Sequence, residues 1–347
     1  MRLPKTSVIL LAIVTLTATT GFARPTRPSW ELRETGVTAR LRGLSAVSHR
    51  VAWASGSAGT VLRTVDGGRT WRSVGPAGTA DLQFRDIEAF DADHAVILSI
   101  GPGESSRVYL TSDAGASWTE TFRNTDPLAF YDCLAFSDRH RGLALSDPVG
   151  GRFRVLSTSD GGRSWEVLPT DGMPPALAGE FAFAASGTCL VAKGRDAWFA
   201  TGGDVQSRVF RSGDRGRTWR VTATAVPSGP TAGIYSLALR DQRHGIAVGG
   251  DFTVPLSAPD AAATSRDGGR TWTTAPAEPG EYRSGAAWAG RIAIAVGPTG
   301  SDISLDGGAH WARFDGGSFD SVDCVGPVTC WASGENGRAA VLTWSRR

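Results

Sequence analysis

The stretch Thr64–Trp71, TVDGGRTW, decides how the chain is read, because it recurs. TSDAGASW starts at Thr111, TSDGGRSW at Thr158, SGDRGRTW at Ser212, SRDGGRTW at Ser265 and SLDGGAHW at Ser304. All six fit Ser/Thr-x-Asp-x-Gly-x-x-Trp, with starts 47, 47, 54, 53 and 39 residues apart. A period near that of a propeller blade marks a repeat architecture.

Each period holds the same order of short segments. FRDIEAF, HAVILSI, RVYLTSD and SWTETF follow one another in one unit, and IYSLALR, HGIAVGG, AATSRD and TWTTAP in another. They are rich in alternating apolar and β-branched residues and are separated by turn residues, which predicts four strands per unit. No window carries a helical period over three turns, so a helical solenoid is excluded. The last unit, FDSVDCV, TCWASGE and GRAAVLTW, has three strands and no octet. SWELRET, Ser29–Thr35, precedes the first full unit and supplies the missing outer strand. The expected fold is all-β: a seven-bladed β-propeller of four-stranded antiparallel blades, closed by the N-terminal strand joining the C-terminal blade. Closure removes exposed sheet edges.

The octet thereby falls in the turn between the third and outermost strands. Asp66 is short enough to accept N–H bonds within the turn, Gly68 supplies a positive φ, and Trp71 buries its ring between blades. The same roles fall to Asp113 and Trp118, Asp160 and Trp165, Asp214 and Trp219, Asp267 and Trp272, and Asp306 and Trp311. Calcium needs about six oxygen ligands, and each copy offers one carboxylate. No metal and no cofactor are expected.

The first 23 residues put Arg2 and Lys5 before an apolar run from Val8 to Leu16 and end in small residues, the pattern of a cleaved secretory leader. The expected mature domain is 24–347, secreted or periplasmic. The run is far short of the roughly 20 residues of a membrane span. Without Arg2 and Lys5 the chain has 34 basic residues against 34 acidic ones, a balance that argues against nucleic acid. Lys5 and Lys193 are the only lysines.

At the octets the sequence resembles the Asp-box, or BNR-repeat, propellers, which include sialidases, two-propeller xyloglucanases, sortilin-type receptors and the photosystem II stability and assembly factors. The turns in DQRHGIAVGG from Asp241 and DRHRGLALSD from Asp138, with AVGGDF and VGPTGS, resemble the assembly-factor type of blade. That resemblance implies a scaffold that binds proteins. The sialidase pattern is matched less well: no Arg-Ile-Pro occurs, and of Tyr109, Tyr131, Tyr235 and Tyr282 only Tyr282 directly follows a glutamate. The xyloglucanase arrangement needs a second propeller.

Strand order puts the octets and the first hairpins on one face, and the inter-blade links with the loops between second and third strands on the other. The second face holds the longer loops, where binding residues tend to sit. Its candidates are Asp147, Glu180 and Asp251 as carboxylates for an acid/base pair, and Arg152, Arg195, Asp196, Trp198, Arg283, Asp302 and Glu335 as ligand-binding residues. Glu180 and Arg283 are placed where innermost strands begin, and Trp198 in a long loop. A carboxylate pair about 5 to 9 Å apart would serve glycoside hydrolysis. The five histidines fall in different blades and do not converge. Cys324 and Cys330 flank VGPVT and face each other across a hairpin, which suits a disulfide; Cys133 and Cys189 are either a second bridge or two thiols. The chain is read as a monomeric, non-enzymatic propeller that binds a protein partner, glycan or small ligand on its long-loop face, with a glycan-acting hydrolase of sialidase type as the alternative.

Overall fold

The computed structural model describes residues 27–345. The expected leader, residues 1–23, lies outside them. Seven four-stranded antiparallel sheets make seven blades, six of them running from an innermost to an outermost strand in chain order and the seventh taking its outermost strand from the start of the chain. Blade 2 is representative: Gln83–Ala89, Ala95–Ile100, Arg107–Thr111 and Thr119–Arg123. Blade 7 has Ser321–Val325, Thr329–Ser333 and Ala339–Ser345 from the C-terminus, and its outer strand is Arg27–Arg33. That strand pairs antiparallel along its whole length, with Trp30 opposite Leu342. The ring closes as the sequence implies, with the strand beginning two residues before Ser29.

Second strands are buried on both sides. AWASG in blade 1, AVILS in blade 2 and IAVGG in blade 5 are continuously buried, and so they read as runs of small and apolar residues instead of alternating. Small side chains let neighbouring blades close on each other near the axis. Outer strands have less to cover and shrink to two residues in blades 1, 3 and 5.

The octets tie their turns internally. In the first, the Thr70 amide donates to Asp66 Oδ1 at 3.0 Å, the Thr70 hydroxyl to Oδ2 at 2.7 Å, and the Gly68 amide to Thr64 Oγ1 at 3.0 Å. The Thr70 amide, then its hydroxyl, hold the Asp66 carboxyl down at about 2. Position seven, which the sequence pattern leaves open, is a donor in all six copies: Thr70, Ser117, Ser164, Thr218 and Thr271 through hydroxyls, His310 through Nδ1. Gly68 has φ +78, and a Cβ there would stand 3.1 Å from Trp331 of the preceding blade. Glycine therefore serves both the turn and the seam. Trp71 meets Trp331 edge-on at 5.8 Å, and Trp118 meets Trp53 at 6.4 Å, so these indoles stand in the seams between blades.

Innermost strands are stitched by polar side chains that reach the next blade's backbone. Asp86 accepts from the Leu134 amide at 2.6 Å, Ser236 from Ala286 at 2.9 Å, and Asp323 from Ala46 at 2.7 Å. Between blades 3 and 4 the stitch is covalent, Cys133–Cys189; the second disulfide, Cys324–Cys330, joins directly opposed residues of blade 7. No cysteine is free. Two disulfides suit an oxidising, extracytoplasmic compartment. Among the described residues no helix is long and apolar enough to cross a membrane.

Candidate functional site

Four innermost strands carry a β-bulge at the same register. Arg42 is the extra residue between Leu41 and Gly43, Arg85 between Phe84 and Asp86, Asp132 between Tyr131 and Cys133, and Tyr235 between Ile234 and Ser236. A bulge re-aims its extra side chain out of the ladder. All four lie near the start of their strands, at the long-loop end of the axis, where their charges act on one another. Arg85 feels Arg42, Arg40 and Asp132; Tyr282 feels Arg42, Arg40 and Arg85; Tyr235 feels Tyr282 and Arg42. The bulges assemble one site at the mouth of the channel.

Its positive charge is incompletely matched. Arg40 pairs with Asp320, donating from Nε at 2.7 Å and Nη2 at 2.6 Å. Arg85 donates to the Ala184 carbonyl at 2.9 Å, and Arg42 Nε is buried without a hydrogen-bond partner. Burial, and then the neighbouring Arg42 and Arg40, hold Arg85 down to about 10; burial also lowers Arg42. An anion arriving here would relieve both groups.

Aromatic rings wall one side. Phe183 stacks on Tyr235 at 3.9 Å, Tyr282 meets Tyr235 edge-on at 4.8 Å, and Phe181 meets Phe183 at 4.9 Å. On the other side Asp132 faces Asp147, itself the extra residue of a bulge between Ser146 and Pro148. Burial pushes Asp147 up to about 7; Asp132 is raised by burial and then by the charge of Asp147. Asp132 Oδ2 has no partner, whereas Asp147 Oδ1 accepts from the Ala182 amide at 2.9 Å.

The residues expected at this site are distributed differently. Asp147 belongs to it, but its acidic neighbour is Asp132, not Glu180 or Asp251. Glu180 lies in the link 168–189, well before the inner strand Leu190–Lys193, and is consumed by Arg208. Arg208 Nε donates to Oε1 at 2.8 Å and Nη2 to Oε2, while Thr201 Oγ1 donates to Oε1 at 2.6 Å and the Leu177 amide to Oε2 at 2.9 Å. Asp251 sits at the end of its strand and accepts from Thr253 within its own turn. Arg283 and Asp302 form a buried pair at 2.5 Å, so neither is open to a ligand. Trp198 is not in a loop: it lies in Asp196–Ala200, fully buried, donating to the Gly268 carbonyl at 2.8 Å. Arg195 belongs to the two-residue turn before that strand and is on the octet face, bonded through its carbonyl to Arg215 of the fourth octet. Asp196 pairs there with Arg211 at 3.1 Å. Arg152 and Glu335 do lie on the long-loop face, Arg152 beside the turn Gly150–Gly151 and Glu335 exposed in blade 7 near Arg40.

The expectation for that face overlooked Arg40, Arg42, Arg85 and Asp132. The signal for Arg42, Arg85 and Asp132 is the alignment of inner strands, LRG, FRD, YDC and IYS, in which one register position is polar in four blades. A cavity of about 540 Å³ opens at the octet end of the axis, lined by Lys193, Trp288 and Asp323. Among the described residues no group of three His, Cys, Asp or Glu is placed to hold a metal ion.

No family model and no curated protein sequence matches the chain. Solved structures do match in fold. "YCF48 bound to D1 peptide" is 15% identical with a TM-score of 0.63, covering 90% of this chain and 96% of that one. YCF48 from Cyanidioschyzon merolae is 14% identical with a TM-score of 0.62, covering 90% and 98%. The WD40 repeats of RRP9 are 13% identical with a TM-score of 0.61, covering 93% and 99%. At these identities the likeness is one of fold, the β-propeller, which hosts many functions.

Proposed function

We propose that the protein is a secreted, non-enzymatic propeller that binds an anionic segment of a protein partner at the long-loop mouth of its axial channel. One observation carries the reading: bulges turn Arg42 and Arg85 out of their ladders at the mouth with, among the described residues, no carboxylate at ion-pair distance, beside an Arg40 that already has one. Half-buried guanidinium groups favour carboxylates, which they hold through parallel N–H bonds. A structurally similar propeller binds a peptide, which supports a polypeptide as the ligand class.

The hydrolase alternative retains one support, the Asp132–Asp147 pair, since a carboxyl near 7 suits general acid catalysis. Two measurements on the mature chain separate the readings. Fluorescence polarisation with labelled oligo-glutamate and oligo-lysine dodecapeptides tests the mouth: binding of the acidic probe alone, weakened in Arg42→Gln/Arg85→Gln, supports a peptide scaffold. A panel of fluorogenic glycosides tests the alternative. Turnover abolished by Asp147→Asn would replace the scaffold with an enzyme.

A further inference from the structure

Four exposed large apolar side chains stand on long-loop connections of blades 4 and 5. Phe252, Val254 and Leu256 are 52%, 55% and 74% exposed, and Val205 on the corresponding loop of blade 4 is 85% exposed. The first three stand in the connection between Gly245–Asp251 and Ala262–Ser265, the longest between any second and third strands. Exposing such side chains forgoes the burial that stabilises apolar groups. Several exposed large apolar side chains on one loop point to a contact site.

The loop is tied down. Tyr282 donates its amide to the Pro255 carbonyl at 2.9 Å, and Ala258 to that of Gly280 at 3.0 Å. Asp251 Oδ1 accepts from the Thr253 amide at 2.8 Å, and Glu278 accepts from the Asp260 amide at 2.7 Å. With the backbone fixed, the three side chains are presented on an ordered crest.

The crest is continuous with the arginine mouth. Phe252 meets Tyr235 edge-on at 6.5 Å, and Tyr235 packs on Phe183 and Tyr282, whose neighbours are Arg42, Arg40 and Arg85. An apolar ridge and a basic mouth therefore share one aromatic wall. A bilayer surface can cover the ridge, but its headgroups lie in a plane and do not follow half-buried arginines toward the axis. An extended chain can.

We infer that the Phe252–Leu256 crest is the apolar half of a composite docking groove, and that its occupant is an extended peptide segment carrying acidic residues toward the axis and large apolar side chains toward blade 5. This rests on the peptide-binding reading and names the chemistry of the partner. Recognition has the usual division of labour: charge sets orientation, and buried apolar anchors set affinity.

The test pans a phage-displayed random dodecapeptide library on the full mature chain, on Phe252→Ser/Leu256→Ser and on Arg42→Gln/Arg85→Gln. Both crest side chains are exposed, so the first variant should keep the melting temperature of the parent. The wild type is expected to enrich peptides that hold both acidic and large apolar residues. The crest variant should keep the acidic enrichment, lose the apolar one, and bind the selected peptides about tenfold or more weakly. Acidic enrichment with no apolar preference, or an apolar preference unchanged in the crest variant, would overturn the crest and leave the mouth standing. No enrichment on any chain would remove the peptide-binding reading with it. Co-sedimentation of the wild type with 1:1 phosphatidylglycerol–phosphatidylcholine vesicles, or concentration-dependent dimerisation, abolished in the crest variant would overturn the peptide and assign the crest to lipid or to a second copy.

Discussion

Asp86 and Cys133 occupy the same register position in adjacent innermost strands, one residue past the bulge, and each reaches the next blade. Asp86 does so with a hydrogen bond to the Leu134 amide, Cys133 with a disulfide to Cys189. The covalent bond thus stands where other seams use a polar stitch. It closes a sequence separation of 56 residues, against 6 for Cys324–Cys330. Chain entropy then gives about 4 kcal/mol for the first bridge and about 2 for the second. Denaturant titration of Cys133→Ala/Cys189→Ala and Cys324→Ala/Cys330→Ala should show the larger loss in the first pair; equal losses would mean that the seam itself contributes little.

Glu180 is a structural residue, and its replacement should be felt in stability. Removing one partner of a buried ion pair costs about 3–5 kcal/mol because the other charge is left behind. Glu180→Ala should fall in that range by chemical denaturation, and Glu180→Leu/Arg208→Met should recover a large part of it. A double variant as unstable as the single one would show that Arg208 is not the reason.

Stability should decline between about pH 4 and pH 7. The Asp147 carboxyl, pushed up to about 7 by burial, stays protonated in the folded chain while the unfolded chain ionises it near its ordinary value. The folded state is therefore favoured at low pH and loses that advantage as pH rises through 7. Asp132, itself raised by burial, is the titratable group that faces it. Asp147→Asn keeps an acceptor for the Ala182 amide and should flatten the decline, gaining up to about 4 kcal/mol at pH 8 and nothing near pH 4. Parallel pH profiles of the melting temperature for the two chains would show it.

Position seven of the octet should matter as a donor. In the fourth copy the Thr218 amide and hydroxyl reach Asp214 at 2.8 and 2.6 Å. Thr218→Val removes one bond and should cost about 1 kcal/mol, and Thr218→Ser nearly nothing. Thermal unfolding of the two variants checks this, and equal losses would assign the effect to the methyl group.

Much of the fold was legible because the octet states its own position: once Asp66 and Trp71 are seen to recur, strand order and the closing role of Trp30 follow. The site was less so. Arg42, Arg85 and Asp132 are ordinary strand residues by pattern, and only the bulge, a property of pairing between strands, turns them toward the axis. Trp198 was misplaced for the opposite reason. Its first hairpin turn has just Gly194 and Arg195, so strands on either side merged with a polar stretch that reads as loop. Glu180 shows a third limit, since Arg208, 28 residues later, cannot be paired with it from spacing.

The most direct test places a benzophenone amino acid on each face in the cells that make the protein. Gln83 is exposed beside Arg85 at the long-loop mouth, and Arg69 is exposed in the first octet on the opposite face. Irradiation should give a discrete protein adduct from position 83 and none from position 69, and Arg42→Gln/Arg85→Gln should abolish it. Adducts from position 69 alone, or an adduct at 83 indifferent to both arginines, would contradict a binding site at the channel mouth.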